Sequence, residues 1–508
     1  MTTIGVVGAG TMGAGIAQLA AAAAFRTLLH DPVPEALDRG AASARRGLAK
    51  WAEKGRVGAG AAELLETVRD LDELARCDLV IEAAPERAEL KRDLFGALSV
   101  LCGDEVVLAT NTSSIPVTSL AGAAARPENV VGMHFFNPPP LMPLLEVIRA
   151  EQTSDETMAL ARRVGKAMGK EVIVAADGPG FLVNRCGRPF SGEGLRLLAE
   201  RIATHEQIDR ICRLGGSFRM GPFELMDLVG VDVGFEVAKS FHELSFGEPR
   251  WRPSPIQARM VAAGRLGRKT GRGYYDYVEG RPYRADDPEP PKAGYGDGTL
   301  LTVLGDGLLA DDLRERARAA GYELREGGPT ELVLDARIRP EESPPGGAPV
   351  GVLCASSSLA SRGEPGAVGF YLVPEARLVE LTRLPSTQDF AAKALRECFE
   401  HLGFVTEWVE DAPGLVLGRI VCQLVNEAAF AIGEGVGSAD DVDAGLTLGL
   451  SHPRGPVEWS EAIGIDHVLA VLDGLWAERA EERYRTAPLL RRAAALGRSL
   501  REEWPPPT

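Results

Sequence analysis

Apolar and polar positions along the first third of the chain fall into two alternating rhythms. Short apolar runs stand at Ile4 to Val7, Thr27 to His30, Leu79 to Glu82, Val106 to Thr110, Val130 to His134 and Glu171 to Ala175. Between them lie longer stretches in which apolar residues recur every three or four positions. The short runs predict buried strands and the longer stretches predict amphipathic helices. Such alternation implies a mostly parallel sheet covered by helices on both faces, here over residues 1–185. From 186 to 281 only the helical period remains, closing on Gly271-Arg272-Gly273-Tyr274-Tyr275, which predicts a separate helical domain. Residues 282–298 are rich in proline and glycine and lack apolar periodicity, the mark of a linker.

Beyond the linker the chain begins again. At a constant offset of 234 residues, Asp177, Pro179, Gly180, Arg185, Glu193 and Glu200 meet Asp411, Pro413, Gly414, Arg419, Glu427 and Glu434. Asp209, Gly215, Gly221, Pro222, Gly230 and Asp232 continue the series as Asp443, Gly449, Gly455, Pro456, Gly464 and Asp466. Ungapped identities this dense point to a duplicated helical domain, with its second copy over 413–508. Residues 299–412 read as a shortened copy of the first domain, since Val303-Leu304-Gly305-Asp306-Gly307 echoes Val6-Val7-Gly8-Ala9-Gly10. The fold class expected is an α/β Rossmann-type domain plus an all-α C-terminal domain, followed by a degenerate, shortened repeat of both.

Composition narrows the class without changing this outline. The 508 residues exceed one ordinary core, and 45% hydrophobic with 25% charged residues is the mixture of a folded protein. A formal charge of −16 argues against nucleic acid or an anionic membrane as partner, so an anionic ligand needs a local basic patch. Seven scattered cysteines without a Cys-x-x-Cys pair read as reduced thiols, and no metal site is expected. A strand pattern starting at Ile4 leaves no room for a signal peptide, and no apolar run is long enough to span a bilayer. A cytoplasmic location is the expectation.

Gly8-Ala9-Gly10-Thr11-Met12-Gly13 follows the first strand and opens a helix. The three glycines serve a tight turn, close approach to a pyrophosphate and helix-on-strand packing, while the helix start offers unpaired N–H groups to phosphate. Asp31 ends the second strand, where a carboxylate accepts hydrogen bonds from ribose hydroxyls and repels a 2′-phosphate. NAD is thus favoured over NADP as cofactor, though these residues alone would also serve FAD.

The densest polar block is Asn111-Thr112-Ser113-Ser114, then Gly132-Met133-His134-Phe135-Phe136-Asn137-Pro138, Leu144-Leu145-Glu146-Val147, and Gly180-Phe181-Leu182-Val183-Asn184-Arg185. A histidine at a strand end beside polar groups suits proton transfer near neutrality, and a carboxylate can orient it and stabilise its charged form. With Gly267 to Tyr277 (GRKTGRGYYDY), these motifs resemble the L-3-hydroxyacyl-CoA dehydrogenase family, at spacings that fit without a gap across the first half.

The resemblance implies that His134 is the general acid/base of NAD-dependent, reversible oxidation of L-3-hydroxyacyl-CoA to 3-oxoacyl-CoA. It implies that Glu146 orients His134, and that Ser113 and Asn184 hydrogen-bond the reacting oxygen or thioester. It adds Glu86, Lys91, Ser113 and Asn137 to the cofactor contacts of Gly8, Gly10, Thr11, Met12, Gly13 and Asp31. For the acyl-CoA substrate, Arg46, Lys50 and Lys54 recur every four residues on one helix face, with Lys54 the best match to the family's substrate contact. The chain's length resembles long bacterial members that act on 3-hydroxybutyryl-CoA, or on 3-hydroxyadipyl-CoA in phenylacetate breakdown; fatty-acid β-oxidation is the wider setting.

Aligning the halves puts Tyr371 where His134 stands, Gly418 at Asn184 and Ala310 at Gly13, while Ser357 and Glu380 match Ser113 and Glu146. No counterpart of Asp31 remains, and neither Ser357 nor Glu380 is expected to accept a proton near neutrality. The second half is therefore expected to bind no NAD and perform no catalysis. Its helical copy would pack on the first as an intramolecular pseudo-dimer, or the chain would form a homodimer. Two other functions stay open at this point: a dehydrogenase of a β-hydroxy acid lacking CoA, and a non-catalytic NAD-binding protein.

Overall fold

The computed structural model describes residues 2–502 and 504. They fall into two compact units, Met1–Arg185 with Glu434–Leu450, and Cys186–Gly433 with Ser451–Thr508. The segment Glu434–Leu450, expected within the second helical copy, thus packs with the first domain.

The first unit is built on eight strands: β1 Thr3–Val7, β2 Arg26–His30, β3 Leu65–Val68, β4 Leu79–Glu82, β5 Val107–Thr110, β6 Val130–Phe135, β7 Leu144–Arg149 and β8 Glu171–Ala176. Their order is β3-β2-β1-β4-β5-β6-β7-β8, with β6 and β7 antiparallel and every other neighbouring pair parallel. Strands β3 and β7 are additions to those expected from the sequence. β1, β4 and β7 are apolar along nearly their whole length because helices cover both faces. The helices Thr11–Ala22 and Pro34–Glu53 close one side over Ile4, Val6, Ile81 and Met133.

The second unit contains a sheet of seven strands: β9 Leu300–Leu304, β10 Glu323–Leu324, β11 Leu332–Asp335, β12 Val350–Leu353, β13 Val368–Tyr371, β14 Leu378–Arg383 and β15 Val405–Trp408. Its order, β10-β9-β11-β12-β13-β14-β15 with β13 and β14 antiparallel, repeats the first sheet without β3. Where the first sheet inserts the helix Pro34–Glu53 between β2 and β3, the second passes from β10 to β11 in a short loop. The helices His205–Gly216, Pro222–Val229 and Val231–Leu244, and later Leu417–Gly433, Pro456–Ile463 and Ile465–Arg479, complete this unit. Residues 282–298 form no helix or strand but are fastened at several points. Asp287 pairs with Arg213 at 2.6 Å, Tyr283 Oη donates to Glu224 at 3.1 Å, and the Gly294 amide donates to the His401 carbonyl at 2.9 Å.

Contacts inside the two units mirror one another at the 234-residue offset. In the first, the Ala176 amide donates to the Val436 carbonyl at 2.7 Å; in the second, the Glu410 amide donates to Ile202 at 2.8 Å. Arg185 pairs with Glu434 at 2.7 Å, and Arg419 with Glu200 at 2.9 Å. Gly449 lies against Leu144 and Val183, and Gly215 lies against Leu378 and Leu417. Each helical copy therefore sends one segment onto the sheet of the other half.

All seven cysteines are buried and none is in a disulfide. No helix among the described residues is long and apolar enough to cross a membrane.

Candidate active site

His134 sits near the end of β6, directly opposite Glu146 on antiparallel β7. Its Nδ1 lies 2.9 Å from Glu146 Oε2, and both side chains are buried. Glu146 Oε1 accepts from the amides of Leu182 (2.7 Å) and Val183 (3.1 Å), at the start of the helix Val183–Ala199. The otherwise unpaired N–H groups at a helix start find their acceptor in this carboxylate. A carboxylate that only accepts fixes the imidazole tautomer: Nδ1–H donates to Oε2, and the Nε2 lone pair is left to take a proton. Gly180 (φ 71°) and Phe181 (φ 51°) turn the chain through left-handed conformations so that these amides point at Glu146. Phe136 and Phe181 flank the ring at 4.6 and 6.0 Å between centroids. Asn184 occupies the same first turn, half-buried.

Ser113 lies on an exposed loop organised by Glu86. Glu86 Oε1 accepts from Thr112 Oγ1 (2.5 Å), the Ser113 amide (3.0 Å) and Ser114 Oγ (3.0 Å), while its Oε2 meets Lys91 Nζ at 3.0 Å. Burial works to raise the Glu86 pKa, but the Lys91 charge and these donors outweigh it and hold the carboxyl below its ordinary range. Lys91 itself is 1% exposed and also bonds both oxygens of Glu82, at 2.8 and 3.0 Å. It meets the Ser113 loop through Glu86, whose carboxylate it holds in place.

In the glycine loop, Gly8 adopts φ 98°, and a Cβ there would come within 2.6 Å of the Ala83 carbonyl. A Cβ on Gly13 would strike the Gly8 carbonyl at 1.7 Å, whereas nothing lies within 4 Å of one on Gly10. The crowded glycines build the turn, and the open one leaves backbone accessible to a pyrophosphate. The helix Thr11–Ala22 has neither a side-chain cap nor an acidic residue in its first turn, so its amides are free for an anion. Met12 is half-buried against the core beneath the loop. Asp31 accepts from the Ala9 amide at 2.8 Å and the Val33 amide at 2.9 Å, which aims its carboxylate beside the loop. These residues fit an NAD adenosine and pyrophosphate.

Beside the loop runs a groove of about 440 Å³ between the helices Thr11–Ala22 and Pro34–Glu53, with Arg39 and Ser43 on its wall. Arg46, Lys50 and Lys54 are exposed along and just past the second helix, and Asn137 is exposed at the end of the His134 strand. The structure thus joins His134 to Glu146 and Ser113 to Glu86, while Lys54 and Asn137 stand apart from both clusters.

Three supports escaped the sequence reading. Glu82 anchors Lys91 and takes Thr110 Oγ1 at 2.7 Å. Asn111 Oδ1 accepts the Phe135 amide at 2.8 Å and fixes the strand carrying His134. Lys170 donates to the carbonyls of Pro139 (2.6 Å) and Met142 (2.7 Å), and burial brings its pKa down to about 8. Glu82 and Asn111 were visible as polar residues at strand ends, a signal that marks a support as readily as a ligand.

In the second sheet Tyr371 faces Glu380 in the register that pairs His134 with Glu146. Glu380 still accepts from two helix-start amides, Val416 at 2.7 Å and Leu417 at 3.0 Å. Burial pushes its pKa up to about 8, so it titrates closer to neutrality than expected from sequence, yet it is enclosed and its oxygens are engaged. Tyr371 Oη bonds His467 Nε2 at 2.9 Å, and its ring fills the space beside Gly418.

Residues 3–178 match the model of the 3-hydroxyacyl-CoA dehydrogenase NAD binding domain, and residues 180–277 and again 414–503 match that family's C-terminal domain. The chain is 34% identical over 505 residues to 3-hydroxyadipyl-CoA dehydrogenase of Escherichia coli K12, covering 97% of this chain and 98% of that one. It is 44% identical over 276 residues to a probable 3-hydroxybutyryl-CoA dehydrogenase of Deinococcus radiodurans, covering 54% of this chain and 99% of the relative. A crystal structure of 3-hydroxybutyryl-CoA dehydrogenase from Escherichia coli K12 superposes with a TM-score of 0.82 at 33% identity, covering 97% of this chain and 98% of that one.

Proposed function

The chain belongs to the family of NAD-dependent 3-hydroxyacyl-CoA dehydrogenases, and on that premise we propose that it oxidises L-3-hydroxyacyl-CoA to 3-oxoacyl-CoA at His134. The observation that carries this reading is the clamp in which helix-start amides hold Glu146 and Glu146 holds His134. Bound NAD supplies the hydride acceptor. His134 Nε2 takes the 3-hydroxyl proton as the C3–H bonding pair departs, and Glu146 stabilises the imidazolium that results. Asn184 and Ser113 donate to the oxygen on which charge changes. In the reverse direction the imidazolium returns its proton to that oxygen.

Gly8, Gly10, Thr11, Met12, Gly13 and Asp31 would hold the adenosine and pyrophosphate, and Glu86, set by Lys91, would serve the cofactor together with Ser113 and Asn137. The basic stripe ending at Lys54 receives the CoA phosphates, an anchor that an acidic protein must provide locally.

We assign the second half, 299–412 and 413–508, as a duplicate that has lost its own chemistry. Tyr371 replaces the proton acceptor, Ala310 replaces the third glycine, and the short loop between β10 and β11 stands where the first sheet has the basic helix Pro34–Glu53. The mirrored contacts support an internal pseudo-dimer in place of two subunits. A cytoplasmic acyl-CoA enzyme is the setting that fits this reading.

The test is His134→Ala. Its kcat with acetoacetyl-CoA and NADH should fall about 10³-fold with NAD affinity retained. Acetoacetate should be a poor substitute for its CoA ester; equal rates with the two would sink the CoA assignment.

A further inference from the structure

One cavity of about 490 Å³ is lined wholly by residues of the second unit, six of them arginines against two carboxylates, Glu193 and Glu427. In a chain of formal charge −16 this is a local reversal of sign. Arg196 and Arg483 are held by Glu481, and Arg250 by Glu427 at 2.8 Å. Among the described residues, Arg188, Arg252 and Arg259 have no carboxylate within ion-pair distance. Arg252 and Arg259 are exposed; Arg188 is half-buried, donating to the Gly234 carbonyl at 3.3 Å and resting over the Phe241 ring at 5.2 Å. Burial brings the Arg188 pKa down to about 10, which leaves it charged at neutral pH. Two further lining residues hold buried donors without an acceptor among the described residues, the side-chain amide nitrogen of Gln423 and Nε of Arg196. A desolvated cation without an anion, among donors without acceptors, is uncompensated in the empty fold.

The shape of the cavity indicates which anion. Gly192 lies on its wall in mid-helix, and a Cβ there would meet nothing within 4 Å. Glycine weakens a helix interior, and no packing calls for it here; its effect is to keep the cavity open. An inorganic anion alone leaves most of that volume empty, and the remaining wall includes Leu195, Met226, Trp251 and Ile256. Such a wall favours a ligand with an apolar body behind its charge. Three unpaired guanidinium groups match the three terminal oxygens of a phosphomonoester better than the two of a carboxylate.

We infer that this cavity is a binding site for a small organic phosphomonoester, its phosphate received by Arg188 with Arg252 and Arg259 and its apolar body by the Leu195, Met226 and Ile256 wall. Residues 188–199 and the helix Leu417–Gly433 both line the cavity, so the ligand bridges two helices inside the second unit and stabilises that unit by mass action. The site does not depend on the reaction proposed at His134, and its test needs no turnover.

The test is titration calorimetry of the intact full-length protein in phosphate-free buffer, with phenyl phosphate as the probe. It should bind at least about tenfold more tightly than inorganic phosphate, which lacks the ring, and than benzoate, which lacks the third oxygen. In Arg188→Met the Kd for phenyl phosphate should rise about tenfold to a hundredfold, and in Arg259→Gln about threefold. Gly192→Leu keeps every charge but fills the volume, and should abolish binding of the probe. Saturating acetoacetyl-CoA should leave the Kd unchanged. No binding of phenyl phosphate to the wild type overturns the site, and benzoate binding equally well overturns its phosphate class. Wild-type affinity in Arg188→Met or in Gly192→Leu overturns the placement; should Arg188→Met fail to fold, Gly192→Leu and Arg259→Gln decide. Displacement of the probe by acetoacetyl-CoA would give the cavity to the substrate and overturn the inference.

Discussion

Tyr371 and Gly418 show how one residue change entrains another. A Cβ on Gly418 would lie 2.4 Å from the Tyr371 ring, so the phenol occupies the volume that a side chain in the position of Asn184 requires. With tyrosine at this strand end, only glycine fits on the facing helix. Gly418→Asn alone should therefore destabilise the protein by about 1–3 kcal/mol through overpacking. Tyr371→Ala added to it should recover part of that loss, a non-additive pair in a double-mutant cycle read by denaturant unfolding. Strictly additive effects would show that the ring yields freely. At this scale the sequence was informative wherever chemistry depended on residue type and register. His134 and Glu146 were singled out by residue type and by the resemblance, and the structure sets them opposite each other on antiparallel strands. Lys91 was less legible, because its burial depends on Glu82, a partner at the end of another strand that Thr110 in turn holds.

At the scale of elements, the strands read most readily were those framed by glycine turns and helical stretches. β3 escaped because its LETV pattern is half polar and lies at the sheet edge, where one side needs no apolar cover. β7 escaped because its buried glutamate disguised an otherwise apolar run. No local pattern announced that the π-helical turn Gly445–Gly449 would rest on the first sheet, since that depends on surfaces more than two hundred residues apart in sequence. Its consequence for the site is direct. A Cβ on Gly449 would meet Leu144 at 2.9 Å, Val183 at 3.2 Å and Phe136 at 3.5 Å. Val183 supplies one of the amides that hold Glu146, and Phe136 flanks His134. Gly449→Val should push on both, lowering kcat by about tenfold to a hundredfold while NAD affinity stays near its original value. Its backbone is not left-handed, so the effect belongs to volume. A kcat within twofold of the wild type would show that the turn covers the site without positioning it.

For the whole molecule, positions 234 residues apart make reciprocal contacts. Arg185 to Glu434 and Arg419 to Glu200 are the same pairing read from opposite ends, as are Ala176 to Val436 and Glu410 to Ile202. The repeat itself was visible in spaced identities, but the exchange of segments was not, because a repeat in sequence fixes what each copy is and not which sheet it covers. The exchange makes the first half dependent on the second. A chain ending at residue 285 keeps every residue assigned to catalysis and cofactor binding, yet it loses Glu434–Leu450, which the first unit includes as its own. Leu144, Ile173, Leu182 and Val183 would then face solvent where Gly437, Gly445 and Gly449 now pack. Arg185 would lose its partner Glu434. Exposing several buried aliphatic side chains costs about 1.5–3 kcal/mol each, a large share of a domain's net stability. The shortened chain should therefore aggregate, or restore the missing cover by pairing with a second copy of itself, and as a monomer its kcat should fall at least about a hundredfold. Sedimentation and activity measured on the same fractions check this, and a fully active, stable monomer would mean that the second half contributes nothing to the site.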